Sequence, residues 1–165
     1  MKRIISIIGL ILFCTSCFVN KGQRVNGQCR PKNQHFKLAK TPFNGTDKLV
    51  INKVYVADNS TKAFGYGFYS DGRLIFLHSK DGFALKPEDV FNKRWENAPA
   101  MGYWRIEGKI IKTEYFSCSN SGDYIRKQGE IKGDTIFFER DCGTSNPLKT
   151  IKCPEKYILS DMSFE

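Results

Sequence analysis

Two histidines, His35 and His78, are all the imidazole available to this chain of 165 residues. His35 falls in a polar stretch. His78 ends an apolar run, and its neighbour Ser79 must point to the opposite face of a strand, so adjacency builds no Ser–His pair. No glycine-rich loop precedes a helix, and no zinc, nucleotide or EF-hand spacing occurs. Glu88 and Asp89 follow Pro87, where acids suit the start of a helix better than a catalytic pair. No catalytic residue, metal ligand or cofactor is assigned, and an enzyme is not expected. Blocks of five or six like charges are also missing. The 26 Lys and Arg residues are interspersed with 17 acids, so the formal charge of +9 reads as a solvated surface, and no nucleic-acid partner is expected. No apolar run reaches the 18 residues of a membrane-spanning helix; the longest, residues 4–13, is about ten.

What is present is a sheet. At 165 residues there is room for one domain and one core, and 41% apolar with 13% aromatic content suits strands. Residues 102–140 (GYWRIEGKIIKTEYFSCSNSGDYIRKQGEIKGDTIFFER) hold four alternating runs at 102–107, 109–118, 123–131 and 135–140, divided by turns at Gly108, 119–122 and Gly133-Asp134. Trp104 and Ile106 share one face of the first. Ile111, Thr113 and Tyr115 share a face of the second, and Ile125 and Ile131 oppose Arg126, Gln128 and Glu130 on the third. Three strands precede them, at 48–57, 63–69 and 73–79, with Ser70-Asp71-Gly72 as a hairpin turn. Gly65 and Gly67 lie opposite Phe64, Tyr66 and Phe68, and strand glycines suggest sharp coiling. Pro87 opens a short helix expected to carry Lys93 and Arg94 in its last turn and to stop at Asn97 and Pro99, with Phe91 and Trp95 on one face. A weak last strand lies within 148–159, broken by Pro154. Seven or eight strands with short links would leave two sticky edges unless they closed. The expected fold is all-β: an antiparallel meander closing into a barrel of about eight strands, with one short inserted helix.

The N-terminus reads MKRIISIIGLILFCTSC. Lys2 and Arg3, an apolar run and then Cys14-Thr15-Ser16-Cys17 resemble the signal and lipobox of bacterial lipoproteins, with Cys14 where that family usually has Leu. The resemblance implies that residues 1–16 are a signal peptide, cleaved after Ser16. Cys17 would then be acylated (a palmitate-type modification) and the membrane a partner through it. Loss of Lys2 and Arg3 leaves +7. Residues 17–47, polar and without periodicity, read as a lipid-anchored tether, and 48–165 as the barrel domain. No acidic run follows Cys17, so by the family's sorting rules the periplasmic face of the outer membrane is expected rather than the cell surface. Four cysteines then remain in an exported chain, which implies disulfides. Of three connectivities, Cys118–Cys142 with Cys29–Cys153 is the pairing expected.

The run YGFYSDGRLIF, then GYWRIEGKIIKTEYF, then a Gly-Asp-Thr-Ile hairpin resembles small lipocalin-like lipoproteins of bacterial envelopes. The match covers residues 64–138, and its motifs are turn residues and core aromatics. It implies a lipocalin-like barrel that carries small apolar molecules or maintains the envelope. Phe64, Tyr66, Phe68, Trp104 and Tyr115 are the candidate ligand-binding residues, because pockets are mainly apolar with a few polar groups. Two readings stay open. One is a small apolar or amphipathic ligand in a hollow barrel. The other is a filled barrel that engages another envelope protein through an exposed patch around Phe116, Phe137 and Trp95.

Overall fold

A strand that alternates apolar with polar residues has one face to bury, and its backbone edges must be paired or covered. In the computed structural model, which describes residues 21–119, 122–142 and 151–164, that demand is met by closure. Two short strands, β1 (Gly22–Val25) and β2 (Gln28–Pro31), form a separate hairpin. The barrel strands are β3 (Lys53–Ala57), β4 (Phe64–Phe68), β5 (Arg73–His78), β6 (Ala100–Glu107), β7 (Ile110–Ser117), β8 (Asp123–Lys132), β9 (Thr135–Cys142) and β10 (Ile151–Ser163). Each pairs antiparallel with the next, and β10 closes the ring between β9 and β3. The fold is thus an all-β, eight-stranded antiparallel barrel.

Closure needs two places without side chains. Gly102 on β6 lies against the Glu114 carbonyl of β7, and Gly129 on β8 against the Phe137 carbonyl of β9; a Cβ at either would run into backbone. Gly65 and Gly67 do something else. They point outward, and their missing side chains make room for Leu85 and Phe164 on the barrel's outer wall. Leu85, Val90, Ala98 and Phe164 bury the outer faces of Val54, Ile75 and Leu77 there.

Four expectations are corrected. The helix, α1 (Pro87–Val90), is a single turn. Asn92 takes a positive φ of 57°, and the Asn97 side chain accepts from the Arg94 amide and donates to the Asn92 carbonyl, so local side-chain bonds replace further helix. Phe91 and Trp95 consequently part: Phe91 is exposed, while Trp95 packs on Tyr103 and donates to the Gly102 carbonyl. The last strand is the longest, at 13 residues, and contains Pro154. The Lys156 carbonyl accepts from Asp58 on the β3 side, so Pro154, two residues earlier, turns its missing N–H the same way. There β3 has not yet begun to pair, and no ladder bond is lost.

Residues 22–47 are the third correction, because they are built into the fold rather than strung out as a tether. Asn26 and Gly27 both have positive φ and make the two-residue turn of the β1–β2 hairpin. The hairpin packs over the outer face of β6 and β7, where Cys29, Phe36, Met101 and Phe116 are buried together. Arg30 donates to the Ala98 and Glu96 carbonyls at 3.0 and 2.6 Å. The Leu38 amide donates to buried Glu114, which also accepts from Arg126. Fourth, the disulfide is Cys29–Cys118, which excludes both expected pairs. Cys153 is disulfide-bonded as well; the side chain of Cys142 lies outside the described residues. So do the signal peptide, Cys14, Ser16 and Cys17. Among the described residues no helix is long and apolar enough to cross a membrane.

Candidate ligand-binding site

The two ends of the barrel differ in what the described residues lay across them. Residues 41–50 run across the end where β5 begins. Phe43 meets Trp104 edge to face at 4.9 Å, and the Arg105 guanidinium lies 5.2 Å over the Phe43 ring. Arg105 makes no ion pair among the described residues. It donates instead to the carbonyls of Thr41, Gly72 and Trp104, at 2.9, 3.1 and 2.6 Å. Burial of the guanidinium lowers its pKa. Gly72, at φ 85°, makes the turn and leaves the space that Arg105 and Phe43 fill. Trp104 donates to the Tyr69 carbonyl at 3.1 Å and touches Phe68. That end is packed shut.

Among the described residues, nothing is laid across the opposite end. A cup of about 510 Å³ is lined by Phe64, Phe76, His78, Ala100, Tyr115, Ser117, Lys127, Glu155 and Tyr157, with Arg24, Gly27 and the Cys29–Cys118 bridge on one rim. Its volume falls within the range of small-molecule sites. Alternation along each strand supplies the wall. On β6 only Ala100 and Gly102 face inward here, so Phe76 of β5 and Tyr115 of β7 meet across it, stacked at 4.5 Å. Phe64 stacks on Phe76 at 5.8 Å, which extends an aromatic row from the rim inward. Tyr66 closes the floor with Phe138 and Tyr157, at 5.3 and 4.8 Å.

The floor is also polar. Lys127 reaches across β9 to pair with Glu155, passing 5.9 Å from the Phe138 ring and 5.8 Å from that of Tyr157. The Tyr157 hydroxyl donates to Glu155 at 3.1 Å. The buried Tyr66 hydroxyl makes no full hydrogen bond among the described residues. The phenols of Tyr115 and Tyr157 stand close enough to Tyr66 for weak, long hydrogen bonds with its hydroxyl as well as electrostatic interaction. Burial pushes the Tyr115 phenol up to about 12 and raises those of Tyr66 and Tyr157 well above their ordinary value, with the charge of Glu155 adding to each.

The five candidate residues therefore separate. Phe64 and Tyr115 line the cup, and Tyr66 is its fully buried floor. Phe68 and Trp104 belong to the packed end, where no space is left. Phe76, Lys127, Glu155 and Tyr157 were not singled out from the sequence. Phe76 shares its face with Leu74 by simple alternation. Lys127 stood between Ile125 and Ile131 on an apolar face, and a lone cation in such a position is the signal for a lumen charge.

The other chemical candidates have structural tasks. His78 sits on the rim and Ser79 on the outer wall, where its hydroxyl bonds to Asp81 at 2.5 Å. Asp81 also accepts from Lys86 and the Phe83 amide, and these bonds hold its carboxyl well below the usual range. Asp89 caps α1 through the Lys86 amide. The backbone amide of His35 donates to the Tyr124 hydroxyl. Among the described residues no group of His, Cys, Asp and Glu is placed to hold a metal ion. No family model matches the chain, and no curated protein or solved structure matches it.

Proposed function

We propose that this is a lipid-anchored envelope protein with a lipocalin-like barrel that takes one small amphipathic molecule into its open end. The observation that carries the reading is the cup itself: among the described residues the barrel is packed at one end and uncovered at the other, with an aromatic wall above a polar floor. Apolar contact with Phe64, Phe76 and Tyr115 would supply affinity, and the polar floor would fix orientation. The anchor is Cys17, acylated after removal of residues 1–16. Four residues lie between Cys17 and Gly22, the first residue of β1, and the five Cα steps span at most about 18 Å when extended. The hairpin lies at the open end, so such an anchor would hold the cup near the bilayer on the periplasmic face of the outer membrane.

Two measurements test this. Intact mass of protein from the membrane fraction should show acyl chains on Cys17 and their loss in Cys17→Ala. Titration with dodecanol or dodecanoate should give saturable binding that Ser117→Trp, at the mouth, abolishes. Binding unaffected by Ser117→Trp would place the ligand elsewhere.

The second reading, a surface for another envelope protein, is favoured by Phe83 and Phe91, each 71% exposed on the loop that covers β5. The patch expected around Phe116, Phe137 and Trp95 does not exist as such, since Phe116 is buried beneath the hairpin. In vivo crosslinking from Phe83 and Phe91 would test this reading; a crosslinked envelope protein supports it, and none with either residue removes it.

A further inference from the structure

The floor of the cup has its charges already matched. Lys127 and Glu155 face each other with side chains only 17% and 21% exposed, so the lumen pair is neutral as a unit. Arg24 and His78 lie on the rim. What the floor lacks is a full hydrogen bond for the Tyr66 hydroxyl, which is buried at an inward-facing position of β4 and is met only at the margin of hydrogen-bond geometry by the phenols of Tyr115 and Tyr157. A buried hydroxyl without a full hydrogen bond is unfavourable, and a ligand group that supplies one relieves it. An anionic head at the same depth would meet Glu155 in a medium that screens poorly, while Lys127 is already engaged.

We infer that the ligand enters with an uncharged hydrogen-bonding end downward, a hydroxyl or amide, and that Glu155 is the residue that rejects anionic heads. This rests on the reading of the cup as a ligand site and adds the class of head group it accepts. The aromatic row Phe64–Phe76–Tyr115 takes the apolar body above that head. Selectivity comes from repulsion as much as from attraction, because removing Glu155 frees Lys127 to receive an anion.

The test compares dodecanol with dodecanoate, below their aggregation limits, on the full chain by calorimetry or intrinsic fluorescence. Wild type is expected to bind the alcohol at least about tenfold more tightly than the carboxylate. In Glu155→Gln that order should invert, since Lys127 is left without its partner. Tyr66→Phe should weaken the alcohol several-fold and leave the carboxylate unchanged. A wild type that prefers the carboxylate, or a Glu155→Gln variant that keeps the order, overturns the inference while the cup remains a ligand site. Alcohol binding indifferent to Tyr66→Phe puts the head at the rim and overturns it as well. Binding of neither compound overturns the cup reading together with this one. Thermal unfolding of each variant, run alongside, shows whether it is folded, and Glu155→Ala serves where Glu155→Gln is not.

Discussion

Replacing Tyr66 with Phe should make the ligand-free protein no less stable, which is the reverse of the usual effect of changing a fully buried residue. The Tyr66 side chain is completely inaccessible, and its ring contacts Phe68, Phe76, Phe138 and Tyr157 at centroid distances of 6.1, 5.1, 5.3 and 4.8 Å. Phe keeps every one of those contacts. What it removes is a hydroxyl without a full hydrogen bond, and a buried group left unsatisfied costs about 1–3 kcal/mol. The phenols of Tyr115 and Tyr157 lie nearby and offset part of that, so a gain of about 1 kcal/mol is expected for Tyr66→Phe. In a chain of this size it would raise Tm by about 2–4 °C. Urea titration of wild type and variant reads the change, provided the slope is the same in both. A loss of more than about 1 kcal/mol would refute the reasoning. It would mean that the hydroxyl is satisfied in the free protein and that the floor has no vacancy for a ligand's polar end.

Three other outcomes follow from different parts of the molecule. The phenols of Tyr66, Tyr115 and Tyr157 all lie above the value near 10 that they take when unfolded, so above pH 10 the unfolded chain holds fewer protons than the folded one. Their contribution is complete below pH 10 and is lost progressively as pH rises above it, and the midpoint of urea unfolding, which should fall steadily from pH 10 to about pH 12, checks it. Gly102→Ala should destabilise by about 2–3 kcal/mol, because the new Cβ meets the Glu114 backbone, whereas Gly108→Ala, in a turn with φ 62° and open space, should lose only about 1 kcal/mol; thermal melts separate the two. Cys29→Ser should cost about 4 kcal/mol in an oxidised sample, since the bridge to Cys118 spans 89 residues, and should leave wild type and variant alike after reduction.

Most of the barrel could be read from period-two alternation, because every strand from β3 to β9 has one apolar face and a turn residue at each end. Pro154 concealed the last strand. It removes a donor, but whether that matters depends on which neighbour the donor would face, and only the register of β10 against β3 decides this. The β1–β2 hairpin has a legible mark, since Asn26-Gly27 between Val25 and Gln28 is a strong two-residue turn signal, but the polarity around it masks the strands. Placing Cys29 in a loose tether then led to the wrong disulfide pairs. The short α1 depended on Asn92 and Asn97, whose side chains compete with helical bonds in ways that spacing does not reveal.

For the site, the sequence showed which aromatics face inward but not how deep each lies. Phe68 and Trp104 alternate just as Phe64 and Tyr66 do. They are lost to a ligand because Phe43, distant in sequence, plugs their end. The aromatic wall is likewise a product of what β6 omits, since Ala100 and Gly102 let Phe76 and Tyr115 stack across that strand. Lys127 and Glu155 meet across an intervening strand, and neither carries a local mark of the other.

The central claim, that the open end of the barrel holds a ligand, is tested most directly by native mass spectrometry of the protein taken from its own envelope. Wild type should carry a bound small molecule that is released on denaturation, and Ser117→Trp should lack it. A wild type without any adduct, or an adduct equally present in Ser117→Trp, would contradict the account.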